Sequence, residues 1–239
     1  MGNIKGVILA GGLGSRLYPL TRVINKHLLP VYDKPMVYYP LQKMVDSGIR
    51  DIMVISGPQH IRDFEQILGS GKDFGARLVY EVQEKPGGIA QALGLAKGFV
   101  GNGNVLVILG DNIIEDRIDT GAFTGGARIW LKKMKNPGRF GVAEIKDNRV
   151  MGIEEKPSTP KSDLVVIGCY MYDSSVFEVI GKMKASARNE MEISDVNNHY
   201  AGIGKMDYRI LGGFWADAGT FEDLFIASEF ARNKALARG

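Results

Sequence analysis

The sequence predicts an α/β fold, a parallel sheet covered by helices, and three observations carry that expectation. Apolar strand-like runs alternate with helical segments through the first half of the chain, the rhythm of repeated β-α-β units. The first run, Ile4–Leu9, is continuously apolar and ends at glycine, as expected of a strand buried on both faces. The chain has 239 residues, 45% of them hydrophobic, enough for one large domain or a domain with a subdomain.

After the first strand, 35–47 reads as a helix. Pro35 suits its first turn and Gly48 its stop, while Pro40 inside it predicts a kink or a late start. Asp51–Ser56 is the second strand. Residues 58–68 carry Ile61, Phe64, Ile67 and Leu68 at helical spacing. Arg77–Val82 is the third strand, 88–99 an alanine-rich helix, and 105–109 a fourth strand ending at Gly110-Asp111-Asn112. The second half changes character. Ala127–Lys133, 140–145, 150–155 and Leu164–Tyr172 read as mixed or antiparallel strands that widen the sheet. Helices are expected over 174–183 and 193–201, and a short strand over 208–211. A final helix over 220–236 has Thr220 as a good N-cap, Asp223 in its first turn and Lys234 near its end. Without repeats or low-complexity linkers, the chain reads as one compact unit.

Composition narrows the function. A net charge of +3, spread along the chain with no arginine-rich arm, gives no case for nucleic-acid binding. Met1-Gly2-Asn3 opens directly into a strand rather than an apolar leader, and no apolar run approaches a membrane span, so a cytoplasmic protein is expected. The single cysteine, Cys169, excludes an internal disulfide framework and a Cys-rich zinc site. Within Val165-Val166-Ile167-Gly168-Cys169-Tyr170 it reads as a buried small hydrophobe.

The stretch with most chemistry is Leu9-Ala10-Gly11-Gly12-Leu13-Gly14-Ser15-Arg16-Leu17, followed by Lys26-His27-Leu28-Leu29-Pro30. A glycine loop after a strand can turn sharply and bring bare N–H groups to a phosphate. Arg16 adds a planar charged fork and Lys26 a mobile point charge, a combination suited to a polyphosphate. A dinucleotide-binding turn is the competing reading, with Asp33 about where a ribose contact would fall. Against it, the third glycine position holds Leu17, and Asp33 lies in a turn. No P-loop is present, because no glycine stands five residues before Gly71-Lys72. Asp111 ends an apolar strand and Asp217 sits in a Trp-x-Asp-x-Gly turn. Together they offer the two carboxylates that a Mg²⁺ ion needs beside nucleotide phosphates, though helix capping explains Asp217 equally well. Glu154-Glu155-Lys156-Pro157 reads most simply as a solvated turn, and Arg188, Glu190 and Glu192 as helix-start electrostatics. His60 and His199 stand alone, and no Ser-His-Asp order or zinc spacing is present. The chemistry indicated is positioning and charge neutralisation, as in phosphoryl-type transfer.

Taken in order, Leu9-Ala10-Gly11-Gly12-x-Gly14-x-Arg16-Leu17-Tyr18-Pro19, Lys26-x-Leu28-Leu29-Pro30, Asp33-Lys34-Pro35-Met36, Leu109-Gly110-Asp111-Asn112, Glu154-Glu155-Lys156-Pro157 and Trp215-x-Asp217-x-Gly219 closely resemble the sugar-phosphate nucleotidylyltransferases over nearly the whole chain. Within that family the motifs are nearest those members that couple dTTP to α-D-glucose 1-phosphate, giving dTDP-glucose and pyrophosphate. The resemblance implies a Rossmann-like, mainly parallel mixed sheet flanked by helices, of the nucleotide-diphospho-sugar transferase type. A nucleotide part would span about 1–115 and 215–239, and a sugar part about 116–214. It implies that the loop Gly11-Gly12-Leu13-Gly14-Ser15 cradles the triphosphate with Leu9 among the nucleotide-binding residues, that Arg16 holds the β- and γ-phosphates, that Lys26 neutralises the α-phosphate, and that Asp111 and Asp217 share Mg²⁺. Gln83, Pro86, Gly88 and Ile89 match the family's Gln-x-x-Pro-x-Gly base pocket. Gly141, Glu155, Lys156, Val166 and Tyr172 match its hexose pocket, with Lys156 and Arg188 gripping the sugar phosphate.

Some positions depart from the family pattern. His27 stands where longer members often have glutamine, Ala218 and Asn189 replace the commoner threonine and glycine, and the glycine-rich 121–126 suggests a shortened peripheral helix. By the same resemblance the chain ends about where the catalytic core ends, without the extension that helps longer members build a tetramer and a second nucleotide site. A homo-oligomer stays open as a partner state. So do UTP or another sugar phosphate as substrate, and a non-catalytic sugar-nucleotide-binding role.

Overall fold

The computed structural model describes residues 4–186 and 189–237. In chain order it runs β1 (Ile4–Leu9), β2 (Pro30–Val31), β3 (Lys34–Pro35), α1 (Tyr38–Asp46), β4 (Asp51–Ser56), α2 (Ile61–Leu68), β5 (Arg77–Val82), α3 (Ile89–Leu95), α4 (Lys97–Val100), β6 (Asn104–Leu109), β7 (Asn112–Ile114) and β8 (Ala127–Lys133). It continues with β9 (Gly141–Lys146), β10 (Arg149–Glu155), β11 (Leu164–Tyr172), α5 (Val176–Lys182), α6 (Ile193–Gly202), β12 (Met206–Leu211), β13 (Trp215–Asp217) and α7 (Phe221–Leu236).

One mixed sheet organises these elements in the order β10-β9-β11-β6-β1-β4-β5, with β8 on β11 and β12 on β8. The four strands of the first half, β6, β1, β4 and β5, are parallel. Side chains on β1 alternate between two cores. Val7 and Leu9 face Ala90, Leu93 and the α5–α6 side, whereas Ile8 faces Leu41, Met44 and Phe64 of α1 and α2. Burial on both faces is why this strand carries no polar alternation. The second half widens the sheet with antiparallel pairs, as expected, except that β12 runs parallel to β8. A register shift between Val166 and Tyr170 lets one edge of β11 pair β9 at Val165 and β6 from Cys169 to Tyr172.

Several boundaries differ from the sequence expectation for local reasons. The helix expected over 35–47 starts at Tyr38, because Pro35 is taken up in a small hairpin, Pro30 opposite Pro35 and Val31 opposite Lys34. Pro40 then falls in the first turn, where its missing N–H costs no helical bond. The helix over 88–99 divides at Ala96, whose N–H turns to the Leu93 carbonyl in a tighter i→i−3 bond. Residues 121–126 form turns, tied down by a buried arginine. Arg128, fully enclosed on β8, donates to Asp207 Oδ2 at 2.7 Å and to the carbonyls of Asp119, Gly121 and Ala122 at 3.2, 2.7 and 3.1 Å. Thr220 caps α7 as expected, its side chain accepting from the Asp223 N–H.

Candidate functional site

Chain order reverses between β1 and β6, since β1 leads outward to β4 and β5 before the chain returns to β6 on its other side. Ligands of open α/β sheets bind beyond the carboxyl ends of strands at such a switch point. The glycine loop leaves β1 there, and Gly110-Asp111 leaves β6 there, the Gly110 N–H donating to the Leu9 carbonyl at 2.9 Å.

The loop is held from below. Asn25 donates its amide to the Ala10 carbonyl at 3.1 Å, and its Oδ1 accepts from the His27 N–H at 2.9 Å and meets His27 Nδ1 at 2.7 Å. Lys26, between them, reaches past Gly12 to pair with the Asp111 carboxylate. Asn112 fixes the other side of that carboxylate, donating to Asp111 Oδ1 at 2.9 Å. Its own Oδ1 accepts from the Gly168 N–H at 2.9 Å and the Trp215 indole at 2.7 Å. Trp215 opens β13, which pairs antiparallel with β7 so that Asp217 stands opposite Asn112, next to Asp111. Arg16 crosses the mouth, its guanidinium 3.9 Å from Asp217 Oδ2. It lies close over Gly219, where a Cβ would come within 2.6 Å of Nη2 and push the guanidinium aside.

The four charged residues singled out from sequence, Arg16, Lys26, Asp111 and Asp217, therefore converge. Their electrostatics are uneven. Burial alone would raise the Asp111 carboxyl, but Lys26, His27 and the Asn112 amide hold it well below the usual carboxylate range. Burial and the neighbouring Asp111 charge push Asp217 up to about 7. Burial, then Lys26, lowers His27 to about 3, so its ring stays neutral. Asp217 holds its proton more tightly folded than unfolded. Its contribution to stability is thus complete below the ordinary aspartate value of 3.8 and is lost as pH rises towards about 7. Asp217→Asn, melted in the presence of a chelator, is expected to be more stable than the parent, by a margin that grows from pH 4 to pH 7 and then levels off.

Among the described residues no cluster of three or more His, Cys, Asp and Glu could hold a metal. The Asp111–Asp217 pair offers only carboxylate oxygens, the donor type of a hard cation whose remaining ligands come from phosphates. On that chemistry the pair fits Mg²⁺.

A cavity of about 410 Å³ opens beside this cluster. Leu9, Gly11, Gly12, Gly14, Ser15, Gln83, Pro86, Gly88, Ile89 and Asp111 line it, whereas Arg16 is not among its lining residues. The segment before α6 closes one wall, Met191 exchanging hydrogen bonds with Gly87 and Ala90 at 2.8 and 3.1 Å. Glu190 and Glu192 thereby reach the cavity rather than serving only the helix start. Arg188 lies outside the described residues.

The sugar-side residues form a separate corner. Glu155 pairs with Gly141 across β10 and β9, and Val165 pairs with Val142, which brings Val166 beside that row. Ser194 donates to Glu155 Oε2 at 2.9 Å, and Lys156 Nζ lies 3.6 Å from Oε1. The corner abuts the carboxylate cluster through Phe140, whose ring packs edge-on against Trp215 at 5.2 Å. Tyr172 does not belong to this corner, a correction to the sequence expectation. Because β11 is antiparallel to β6, Tyr172 pairs with Val105 at the start of β6, the end away from the site. It is fully buried, and its hydroxyl donates to Asn197 at 2.6 Å. Asn25, Asn112 and Trp215 were missed as site residues. Asn112 and Trp215 stand in the motifs quoted from sequence, and the signal of Asn25 is its place beside Lys26.

The nucleotidyl transferase family profile matches residues 5–234. The chain belongs to that family. Glucose-1-phosphate thymidylyltransferase of Neisseria meningitidis is 49% identical over 238 residues, 96% of this chain and 83% of that protein. The Mycolicibacterium smegmatis enzyme of the same name is 43% identical over 99% of this chain and 85% of its own length. A crystal structure from Bacillus anthracis, assigned as a glucose-1-phosphate thymidylyltransferase and solved with sucrose, superposes with a TM-score of 0.92 at 50% identity, covering 96% of this chain and 95% of that one. A UDP-glucose pyrophosphorylase bound to UDP-glucose shares the family fold, with a TM-score of 0.84 at 22% identity over 98% of this chain and all of its own. Among the described residues no helix is long and apolar enough to cross a membrane.

Proposed function

We propose that the chain transfers a thymidylyl group from dTTP to α-D-glucose 1-phosphate, forming dTDP-glucose and releasing pyrophosphate. The observation that carries this reading is the convergence of Arg16, Lys26, Asp111 and Asp217 beside a cavity that Lys26 and Asp111 help to line, in a chain 49% identical to a glucose-1-phosphate thymidylyltransferase.

The sugar phosphate is already an adequate nucleophile, so the site needs no general base. The barrier is repulsion between two polyanions. Backbone N–H groups of Gly11 to Ser15 receive the triphosphate, Arg16 holds the β- and γ-phosphates, and Lys26 reaches the α-phosphate while keeping its contact with Asp111. Lys156 and Arg188 grip the phosphate of the incoming sugar, and Glu155, fixed by Ser194, takes hexose hydroxyls beside Gly141 and Val166. One sugar phosphate oxygen attacks the α-phosphorus in line. The new P–O bond forms as the bond to the β-phosphate oxygen breaks, and pyrophosphate leaves with that electron pair. Asp111 and Asp217 would hold a Mg²⁺ ion, which when bound neutralises phosphate charge and polarises the α-phosphoryl group. Holding two reactants in line accounts for roughly 7–11 kcal/mol of the barrier in favourable cases. Substrates of this kind are water-borne metabolites, which agrees with a cytoplasmic setting.

The test is pyrophosphate release from dTTP, UTP, CTP and their deoxy counterparts with glucose 1-phosphate. A preference for dTTP is expected. A preference for UTP or CTP overturns the substrate assignment, and binding without turnover overturns the enzyme reading.

A further inference from the structure

We infer that Gln91 is a positioning residue that makes the cavity select pyrimidines bearing an imino N–H over cytosine, by fixing which end of the Gln83 amide faces the base. The inference rests on the functional reading above, in which Gln83 meets the base.

An amide side chain can present either a donor or an acceptor, so Gln83 alone says nothing about which base edge it reads. Its surroundings decide. The Gln83 NH₂ group donates to Gln91 Oε1 at 2.6 Å and lies 3.5 Å from the Gly88 carbonyl oxygen. The Gly88 oxygen can only accept, but at 3.5 Å it stands at the limit of hydrogen-bond reach, so the short bond to Gln91 Oε1 is what holds the nitrogen on that side. The oxygen, Gln83 Oε1, is left facing the glycine loop, so close to Gly11 that a Cβ there would stand 2.5 Å away. Gly11, Gln83 and Gly88 all line the cavity, and the Gln83 backbone is pinned by its N–H bond to the Ser56 carbonyl at 2.8 Å. The side chain is buried, so a wrongly turned amide would leave two acceptors facing each other away from water.

Thymine and uracil both carry a donor at N3, which such an oxygen accepts. Cytosine has a lone pair at N3, which it repels. With both NH₂ hydrogens engaged, Gln83 reads N3 alone. The Gln83–Gln91 pair therefore separates thymine and uracil from cytosine but does not distinguish thymine from uracil.

The experiment compares kcat/KM for dTTP, dUTP and dCTP, each with saturating glucose 1-phosphate, in the parent, Gln91→Leu and Gln91→Glu. Leucine removes the acceptor at nearly the same volume, and glutamate keeps an acceptor at the same reach. The dTTP-to-dCTP ratio is expected to fall about tenfold in Gln91→Leu, the equivalent of one lost hydrogen bond. It should stay at the parent value or rise in Gln91→Glu, while the dTTP-to-dUTP ratio stays unchanged in both. Should the leucine variant precipitate, Gln91→Met makes the same test. An unchanged dTTP-to-dCTP ratio in the leucine or methionine variant, an equal loss in the glutamate variant, or a parallel fall in both ratios overturns the inference, as does a parent that does not discriminate. If the parent releases no pyrophosphate from dTTP, the functional reading fails by itself. Calorimetric binding of dTDP, dUDP and dCDP to the same proteins then decides the role of Gln91, with absence of all binding counting against it.

Discussion

Asp111→Asn is expected to lower kcat by about two to three orders of magnitude, the usual cost of losing one preorganised charge-stabilising group. The carboxylate is the hub of the site, paired with Lys26 on one oxygen and bonded by Asn112 on the other. Asparagine keeps the volume and one acceptor but removes the charge. Lys26 then loses the charged partner that aims it under the glycine loop, and the Asp111–Asp217 pair is reduced to one carboxylate. The variant should fold, because its backbone bond from the Ala218 N–H to the residue 111 carbonyl, 2.9 Å in the parent, does not depend on the side chain. Single-turnover pyrophosphate release with a parallel melting curve checks the prediction. Near-parental turnover in a folded variant would refute the role given to Asp111.

The largest effect on stability is expected away from the site, at Arg128→Leu, with a loss of about 3 kcal/mol. Leucine fits a strand facing the core but leaves three carbonyls, those of Asp119, Gly121 and Ala122, without the donor that gathers them. The ion pair itself matters less, because Asp207 is 41% exposed and can turn to water. For a chain of this size the melting temperature should fall by roughly 6–12 °C at that cost, with kcat in the surviving folded fraction unchanged. A melting temperature within a degree or two of the parent would show that the loop holds without Arg128.

The parallel half of the sheet was legible because its inner strands are buried on both faces. Ile4–Leu9 and Asp51–Ser56 are largely apolar runs with clear ends, and with the half-buried edge strand Arg77–Val82 they occupy the expected residues in the structure. The glycine loop and Asp111 were legible for a related reason, since polar or glycine-rich chemistry at the carboxyl end of such a strand has few structural uses. What escaped was non-local. β7 and β13 are three residues each, too short for any periodicity, and pair residues about a hundred positions apart. The proline-bounded hairpin before α1 mimicked a helix start. Arg128 sits among apolar residues at the start of β8, where a charge looks like the solvent side of a strand until the carbonyls of the preceding turn are seen around it. Tyr172 failed because family likeness fixes neither strand direction nor which end of β11 meets the cleft.

The pairing of β13 with β7 also bears on biosynthesis. Asp217 enters only on the last strand, and its neighbour Ala218 is clasped by Asp111 and packed beneath Ala227 and Ala231 of the terminal helix. A polypeptide still emerging from the ribosome carries the glycine loop and Asp111 more than a hundred residues before it carries Asp217, so the acidic pair forms only once β13 has been made and laid against β7.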